Sequence, residues 1–232
     1  MMCLTLLIAT LIIVSCLPAG QKPVVVEKVV PAVQVDSEVA AIVEKSSSVT
    51  NYKYLFSSKI RNRVELYDEK KYDVYVANGV FKKVYSHPLK FQENIYYDQV
   101  YIDPAARTAV GICAAKGVSC EGLERKSFIV SYDAEKISLL PLDLLHSLPP
   151  QARKTGKELV DDRQASIIEY PVTGGKEKIS VDDYSGIPLK WDVLTVNGDE
   201  ETLQQEFTFT QLVVGNIKQS DITLPAGYAL QG

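Results

Sequence analysis

The spacing of apolar and polar residues shifts along this chain, and each shift predicts a different kind of element. Residues 4–14 form an apolar run at the extreme N-terminus. Residues 17–35 hold three prolines among repeated valines and lysines, a composition that disfavours a continuous helix and favours an extended tether. From Asp36 the period is helical. Behind an Asp36-Ser37 start, Val39, Ile42 and Val43 recur at helical spacing until Ser46, Ser47 and Ser48 end a helix of about a dozen residues.

Beyond that helix period two dominates. Tyr52, Tyr54 and Phe56 alternate with Lys53, Leu55 and Ser57. Residues 72–77 and 80–85 flank Asn78-Gly79, the strongest short hairpin signal. Residues 95–103 and 108–113 flank a second turn at 104–107, and His87-Pro88 reads as another. Further strands are expected at 128–133, 166–170, 178–182, 188–196 and 206–214, with a short helix over 139–148 stopped by Pro149 and Pro150. The sum is nine or ten strands and two or three small helices. Hairpins dominate, so the expected fold is mainly β, an α+β arrangement around an antiparallel sheet. No internal repeat and no second low-complexity linker divides residues 36–232, which read as one domain.

The N-terminal run is too short to be a membrane span: at 1.5 Å per residue it reaches about 16 Å, against a hydrocarbon core of about 30 Å. Ending in small residues, it reads as an export signal over residues 1–15. Ile13-Val14-Ser15-Cys16 is similar to a lipobox, which directs lipid to the cysteine and cleavage ahead of it. Cys16 is therefore the expected attachment point, followed by a tether over residues 16–35, on the outer face of a membrane. Met1-Met2-Cys3 carries no lysine or arginine, which departs from that pattern. An uncleaved anchor or an ordinary cleaved signal is the alternative.

Export bears on the other cysteines. Cys113 and Cys120 stand seven apart, and in an oxidising compartment a local disulfide is the natural pairing; two buried thiols are the alternative. A zinc site is disfavoured, since the spacing is not C-x2-C and the two histidines, His87 and His146, stand far off. With a net charge of −4 the chain has no basic field for nucleic acid. Thirteen tyrosines suit strands and half-wetted surfaces.

Catalytic and cofactor chemistry finds no support. Neither histidine has a nucleophile elbow nearby. Asp161-Asp162, Asp182-Asp183 and Asp199-Glu200-Glu201 fall at expected turns and read as solvated. Gly174-Gly175 and Asn197-Gly198 read as hairpin turns, since no helix with Lys-Ser/Thr follows to make a phosphate loop. No enzymatic activity, metal or cofactor is expected.

Three stretches resemble the LolA/LolB-like lipoprotein-carrier superfamily, which also includes RseB-type sensors and lipid-carrying envelope lipoproteins. They are residues 155–169, with a turn at Asp161-Asp162-Arg163; residues 178–190, where Asp182-Asp183-Tyr184-Ser185-Gly186 turns into Ile187-Pro188-Leu189-Lys190; and Phe207–Leu212 with the Leu224-Pro225-Ala226-Gly227-Tyr228 ending. Gly186 supplies the positive φ that such a turn requires. The resemblance implies a curved antiparallel sheet, an unclosed β-barrel, with the N-terminal helix and one or two short helices on its concave side. It also implies a cavity there for acyl chains, or a hydrophobic surface in the sensors. The aromatics nominated to line it are Tyr52, Tyr54, Phe56, Tyr97, Tyr101, Trp191, Phe207 and Phe209, with ordinary core packing as the alternative for each. None of Arg61, Arg63, Arg107, Arg125, Arg153 and Arg163 matches the carriers' cavity arginine, and a tethered chain cannot shuttle. The expected function is thus a membrane-anchored extracytoplasmic lipoprotein binding a lipid, a lipidated molecule or another hydrophobic ligand. The alternative is an anchored module that senses or contacts an envelope protein.

Overall fold

A computed structural model of the protein describes residues 36–63, 65–115 and 117–231. The export signal, Cys16 and the tether lie outside the described residues. The chain opens with α1 (Ser37–Ser46), then β1 (Asn51–Arg61), β2 (Leu66–Ala77), β3 (Val80–Gln92), β4 (Ile95–Asp103), β5 (Thr108–Ile112) and β6 (Lys126–Ile129). Two short helices follow, α2 (Tyr132–Glu135) and α3 (Pro141–His146). Then come β7 (Arg153–Val160), β8 (Arg163–Val172), β9 (Gly175–Asp182), β10 (Pro188–Asn197), β11 (Glu200–Val214), α4 (Gln219–Ile222) and β12 (Ala229–Gln231).

The twelve strands among the described residues form one curved sheet in the order β12-β6-β5-β4-β3-β2-β1-β11-β10-β9-β8-β7. Every neighbouring pair is antiparallel except β12 with β6. β7 and β12 end the order without meeting, so the barrel is unclosed. The long crossing from β1 to β11 is set by Phe56 opposite Phe209 and Ser58 opposite Phe207.

Local chemistry explains the elements. The Asp36 carboxylate accepts from the Glu38 and Val39 amides at 2.9 and 3.4 Å, which satisfies two of the free donors that begin α1. Asn78 and Gly79 both have positive φ, as the tight hairpin between β2 and β3 requires. The turn after β9 is held by Asp182, whose carboxylate accepts from the Ser185 amide at 3.0 Å and hydroxyl at 2.6 Å. Gly186 follows with φ +75°, and a Cβ there would meet the Ser46 nitrogen at 3.0 Å and the Ile42 oxygen at 3.3 Å. That turn therefore seats the C-terminal end of α1 on the sheet.

The two faces differ in kind. The inner face, covered by α1, α2 and α3, carries Tyr52, Tyr54, Phe56, Val74, Ile168, Ile179 and Phe209, packed with Val39, Leu144 and Leu145 from the helices. The outer face of β1 and β7–β11 carries charge: Lys59–Glu206 at 2.8 Å, Lys190–Asp192 at 2.8 Å and Lys178–Glu158 at 3.1 Å.

Several sequence expectations are corrected. Strands β7 and β12 were not expected. β7 is an edge strand with no apolar alternation, and β12 is three residues long. His87-Pro88 is not a turn but lies within β3, where the pairing with β4 slips between Val84 and Leu89. The strand expected at 128–133 stops at Ile129, because the Ser131 hydroxyl accepts from the Ala134 amide and starts α2. Asp182 is not a solvated turn acid: it is buried, and Arg163 lies 3.2 Å away.

Candidate functional site

Seven of the nominated aromatics share the inner face. Tyr52 and Tyr54 stack at 5.9 Å between ring centroids, Tyr54 meets Phe209 edge-on at 5.5 Å, and Phe56 lies 5.9 Å from Phe209. Trp191 stacks on Phe207 at 4.7 Å and donates its indole N–H to Glu177 at 2.9 Å. Tyr97 belongs to a second inner cluster with Val100, Ile102, Ala109 and Val130. Tyr101 does not join them. It points to the outer face, where the Lys82 ammonium lies 5.3 Å from its ring, and burial pushes its phenol up to about 12. Around Tyr52, Tyr54 and Phe209 the expected hollow is filled, since Val39 of α1 and Leu144 and Leu145 of α3 pack into it.

The open space lies further along the same face. A cavity of about 550 Å³ is bounded by β2, β3 and α2, with Tyr72, Tyr85 and Leu89 as its apolar wall and Lys83 and Glu135 as its polar floor. Its aromatic wall continues from the packed core: Phe56 to Tyr72 at 5.0 Å, Tyr72 to Tyr85 at 5.5 Å, Tyr85 to Tyr97 at 6.3 Å. The floor is a buried polar cluster. Glu135 accepts from the Tyr85 hydroxyl at 2.6 Å and from the Tyr97 hydroxyl at 2.7 Å, one on each carboxylate oxygen. The Lys83 ammonium stands 3.5 Å from the same carboxylate and 4.9 Å from the face of the Tyr72 ring.

Burial and charge act together here. Burial lowers the Lys83 ammonium below the usual lysine range, against the pull of Glu135. Burial, then the Glu135 carboxylate, push the Tyr85 and Tyr97 phenols well above theirs, so both stay protonated and donate. At the rim Lys136 pairs with Asp133 at 3.0 Å and Lys70 with Glu69 at 3.8 Å. The arrangement offers an apolar wall, a buried cation and a mixed-charge mouth, which suits holding a molecule with both apolar and polar parts.

Sequence reasoning missed Lys83 and Glu135. Two adjacent lysines carry no sign of which one is buried, and only the alternation of β3, with Phe81 and Lys83 on one side, sends Lys83 inward. Glu135 was unreadable because α2 is four residues long. Elsewhere, Cys113 and Cys120 are joined as a disulfide with Cα atoms 5.4 Å apart, packed with Leu123 and Phe128. His87 and His146 are both exposed.

The molecule is thus a mainly β domain on an open curved sheet, with α1, α2, α3 and the cavity of about 550 Å³ on the inner side. No family model and no curated protein matches the chain. Among solved structures it is similar to LprF from Mycobacterium bovis, with 11% identity and a TM-score of 0.45 over 84% of this chain and 100% of that one. It is similar to the Pseudomonas aeruginosa MucA/MucB complex, with 13% identity and a TM-score of 0.42 over 82% of this chain and 61% of that one. A LolA-superfamily protein from Nitrosomonas europaea aligns with 10% identity and a TM-score of 0.32, over 80% of this chain and 97% of that one.

Proposed function

We propose that the chain is an extracytoplasmic domain, lipid-anchored at Cys16 through the tether of residues 16–35, that binds a lipid or another hydrophobic molecule on the inner face of its sheet. The observation that carries this is the cavity of about 550 Å³ between β2, β3 and α2, whose wall of Tyr72, Tyr85 and Leu89 extends the buried aromatic row. That volume lies within the range of small-molecule sites, and its apolar wall with a few convergent polar groups is their usual lining. The outer face of β1 and β7–β11 is charged, which leaves the inner side for an apolar guest. Native mass spectrometry of the protein extracted from its host tests this. A bound small molecule, lost when Tyr85→Ala opens the wall, is expected; a ligand-free mass refutes it.

A second use as a protein-contacting module is favoured by two exposed apolar side chains. Leu159 of β7 is 73% exposed and Tyr184, in the turn after β9, is 87% exposed, and the Lys157–Asp183 pair at 2.6 Å ties their elements together. Loss of an envelope-protein crosslink in a Leu159→Ser, Tyr184→Ser variant would support this use, and an unchanged crosslink pattern would exclude it.

A further inference from the structure

We propose that Lys83 selects the ligand's head: the cavity takes a molecule with an anionic oxygen, carboxylate or phosphate, set on the Lys83 ammonium, and an apolar chain laid over Tyr72, Tyr85 and Leu89. This rests on the assignment of the cavity as a hydrophobic-ligand site.

The asymmetry between the two buried charges carries the inference. Glu135 is well partnered, with a tyrosine hydroxyl at short distance on each oxygen. Lys83 is not. Its side chain is 5% exposed, yet among the described residues its contacts are one carboxylate oxygen at 3.5 Å and the face of Tyr72 at 4.9 Å. An ammonium has three N–H donors, and a buried donor is normally matched by an acceptor. Lys83 lines the cavity, so an acceptor entering there meets those donors directly.

Charge decides what kind of acceptor fits. The Glu135 carboxylate divides its attention among two phenols and Lys83, so it offsets the ammonium only in part. Around the whole cavity, Lys70, Lys71, Lys83 and Lys136 stand against Glu69, Asp133 and Glu135, four cations to three carboxylates. A singly charged head balances that excess, and in a desolvated site the attraction is far stronger than in water. A neutral alcohol of the same length would meet a donor without balancing the charge. The chain of such a ligand has its own surface in the aromatic wall.

Equilibrium dialysis of the purified protein against dodecanoate, dodecyl phosphate and dodecanol, each below its aggregation threshold, tests this. Wild type is expected to bind at least one of the two anions about tenfold or more tighter than the alcohol, a difference of about 1.4 kcal/mol. The two anionic arms distinguish a carboxylate from a phosphate head. Lys83→Met is expected to bring all three within about threefold of one another while retaining the alcohol's affinity. Equal wild-type affinity for all three, or selectivity that survives Lys83→Met, overturns the role of Lys83 and leaves the hydrophobic site standing. No binding of any of the three overturns both. If circular dichroism shows Lys83→Met unfolded, the wild-type ratio of anion to alcohol decides alone.

Discussion

Glu135→Leu is the most informative single change. It keeps the volume of a buried side chain and removes the acceptor on which three groups converge. The Tyr85 and Tyr97 hydroxyls lose partners at 2.6 and 2.7 Å, and the Lys83 ammonium loses its counter-charge at 3.5 Å. Removing one member of a buried pair costs about 3–5 kcal/mol, because the other charge is left without compensation. An independent bound comes from proton release. Lys83 can escape the penalty by neutralising, which at pH 7 costs about 5 kcal/mol from an ordinary lysine pKa near 10.5, and less because burial has already lowered it. The Tyr85 hydroxyl borders the cavity and can turn into it, whereas the buried Tyr97 hydroxyl is left without an acceptor, which moves the loss toward the upper part of that range. A net destabilisation of about 3–5 kcal/mol is therefore expected, a large share of the roughly 5–15 kcal/mol by which domains are stable. Urea unfolding followed through the single tryptophan, Trp191, measures it. With a slope of about 2 kcal/mol/M the midpoint should fall by about 1.5–2.5 M. A fall of less than about 0.5 M would refute the claim that Glu135 offsets a buried charge.

Three further outcomes follow from geometry elsewhere. Replacing Cys113 and Cys120 by alanine frees a loop with a sequence separation of seven, which in the chain-entropy model costs about 2.5 kcal/mol; no loss of melting temperature, or two titratable thiols in protein purified without reductant, would contradict it. Gly186→Ala combines a left-handed φ with a Cβ pressed on the Ser46 nitrogen and Ile42 oxygen of α1, so about 2–4 kcal/mol of stability should be lost, and an unchanged melt would refute the seating of α1 there. Glu158, Asp183 and Glu206 are each raised by burial but lowered more by hydrogen bonds and lysines, ending below their ordinary values of 4.5, 3.8 and 4.5. A depressed carboxylate contributes stability that is complete above its ordinary pKa and lost as pH falls through its folded one. The urea midpoint should hold from neutrality to about pH 5 and drop below about 4.5, partly offset by Asp192, which burial raises; a midpoint that rises on acidification would refute the sign.

Much of this architecture is legible in the sequence, and the parts that are not have physical reasons. The Tyr52, Tyr54, Phe56 alternation names the inner face because β1 is half-buried along its length. Asn78-Gly79 fixes the β2–β3 hairpin, since few residue pairs tolerate two positive φ values. Asp36 marks the start of α1 through its own carboxylate. β7 escapes notice because an edge strand buries one side weakly and shows polar residues on both. Tyr101 follows the same alternation as Tyr97 on paper, yet the slipped pairing between β3 and β4 puts the two on opposite faces. Alternation also shows which residues line a face without showing what covers them, so the filled and open halves of the inner side look alike in sequence.

What separates those halves is the kind of cover each receives. Over Tyr52, Tyr54 and Phe209, α1 and α3 supply Val39, Leu144 and Leu145, apolar groups that settle into van der Waals contact and leave no room. Over Tyr72 and Tyr85 the cover is α2, a single turn that packs Tyr132 on the neighbouring Tyr97 cluster and meets Tyr85 through the Glu135 carboxylate. A hydrogen-bonded strut has a fixed length and cannot collapse as an apolar plug does, so the space beside it stays open. The polar cluster of Lys83, Glu135 and Tyr85, braced by Tyr97, thus holds the cavity apart as well as lining it. A Glu135→Leu, Lys83→Met double variant separates these roles. With both charges gone, stability should return to within about 1.5 kcal/mol of wild type, since buried pairs are often replaced by apolar residues without loss. The preference for an anionic amphiphile should not return with it. A double variant as unstable as the two single losses added together would show that the charges are not coupled, and one that still prefers the anion would show that the selective cation lies elsewhere on the rim.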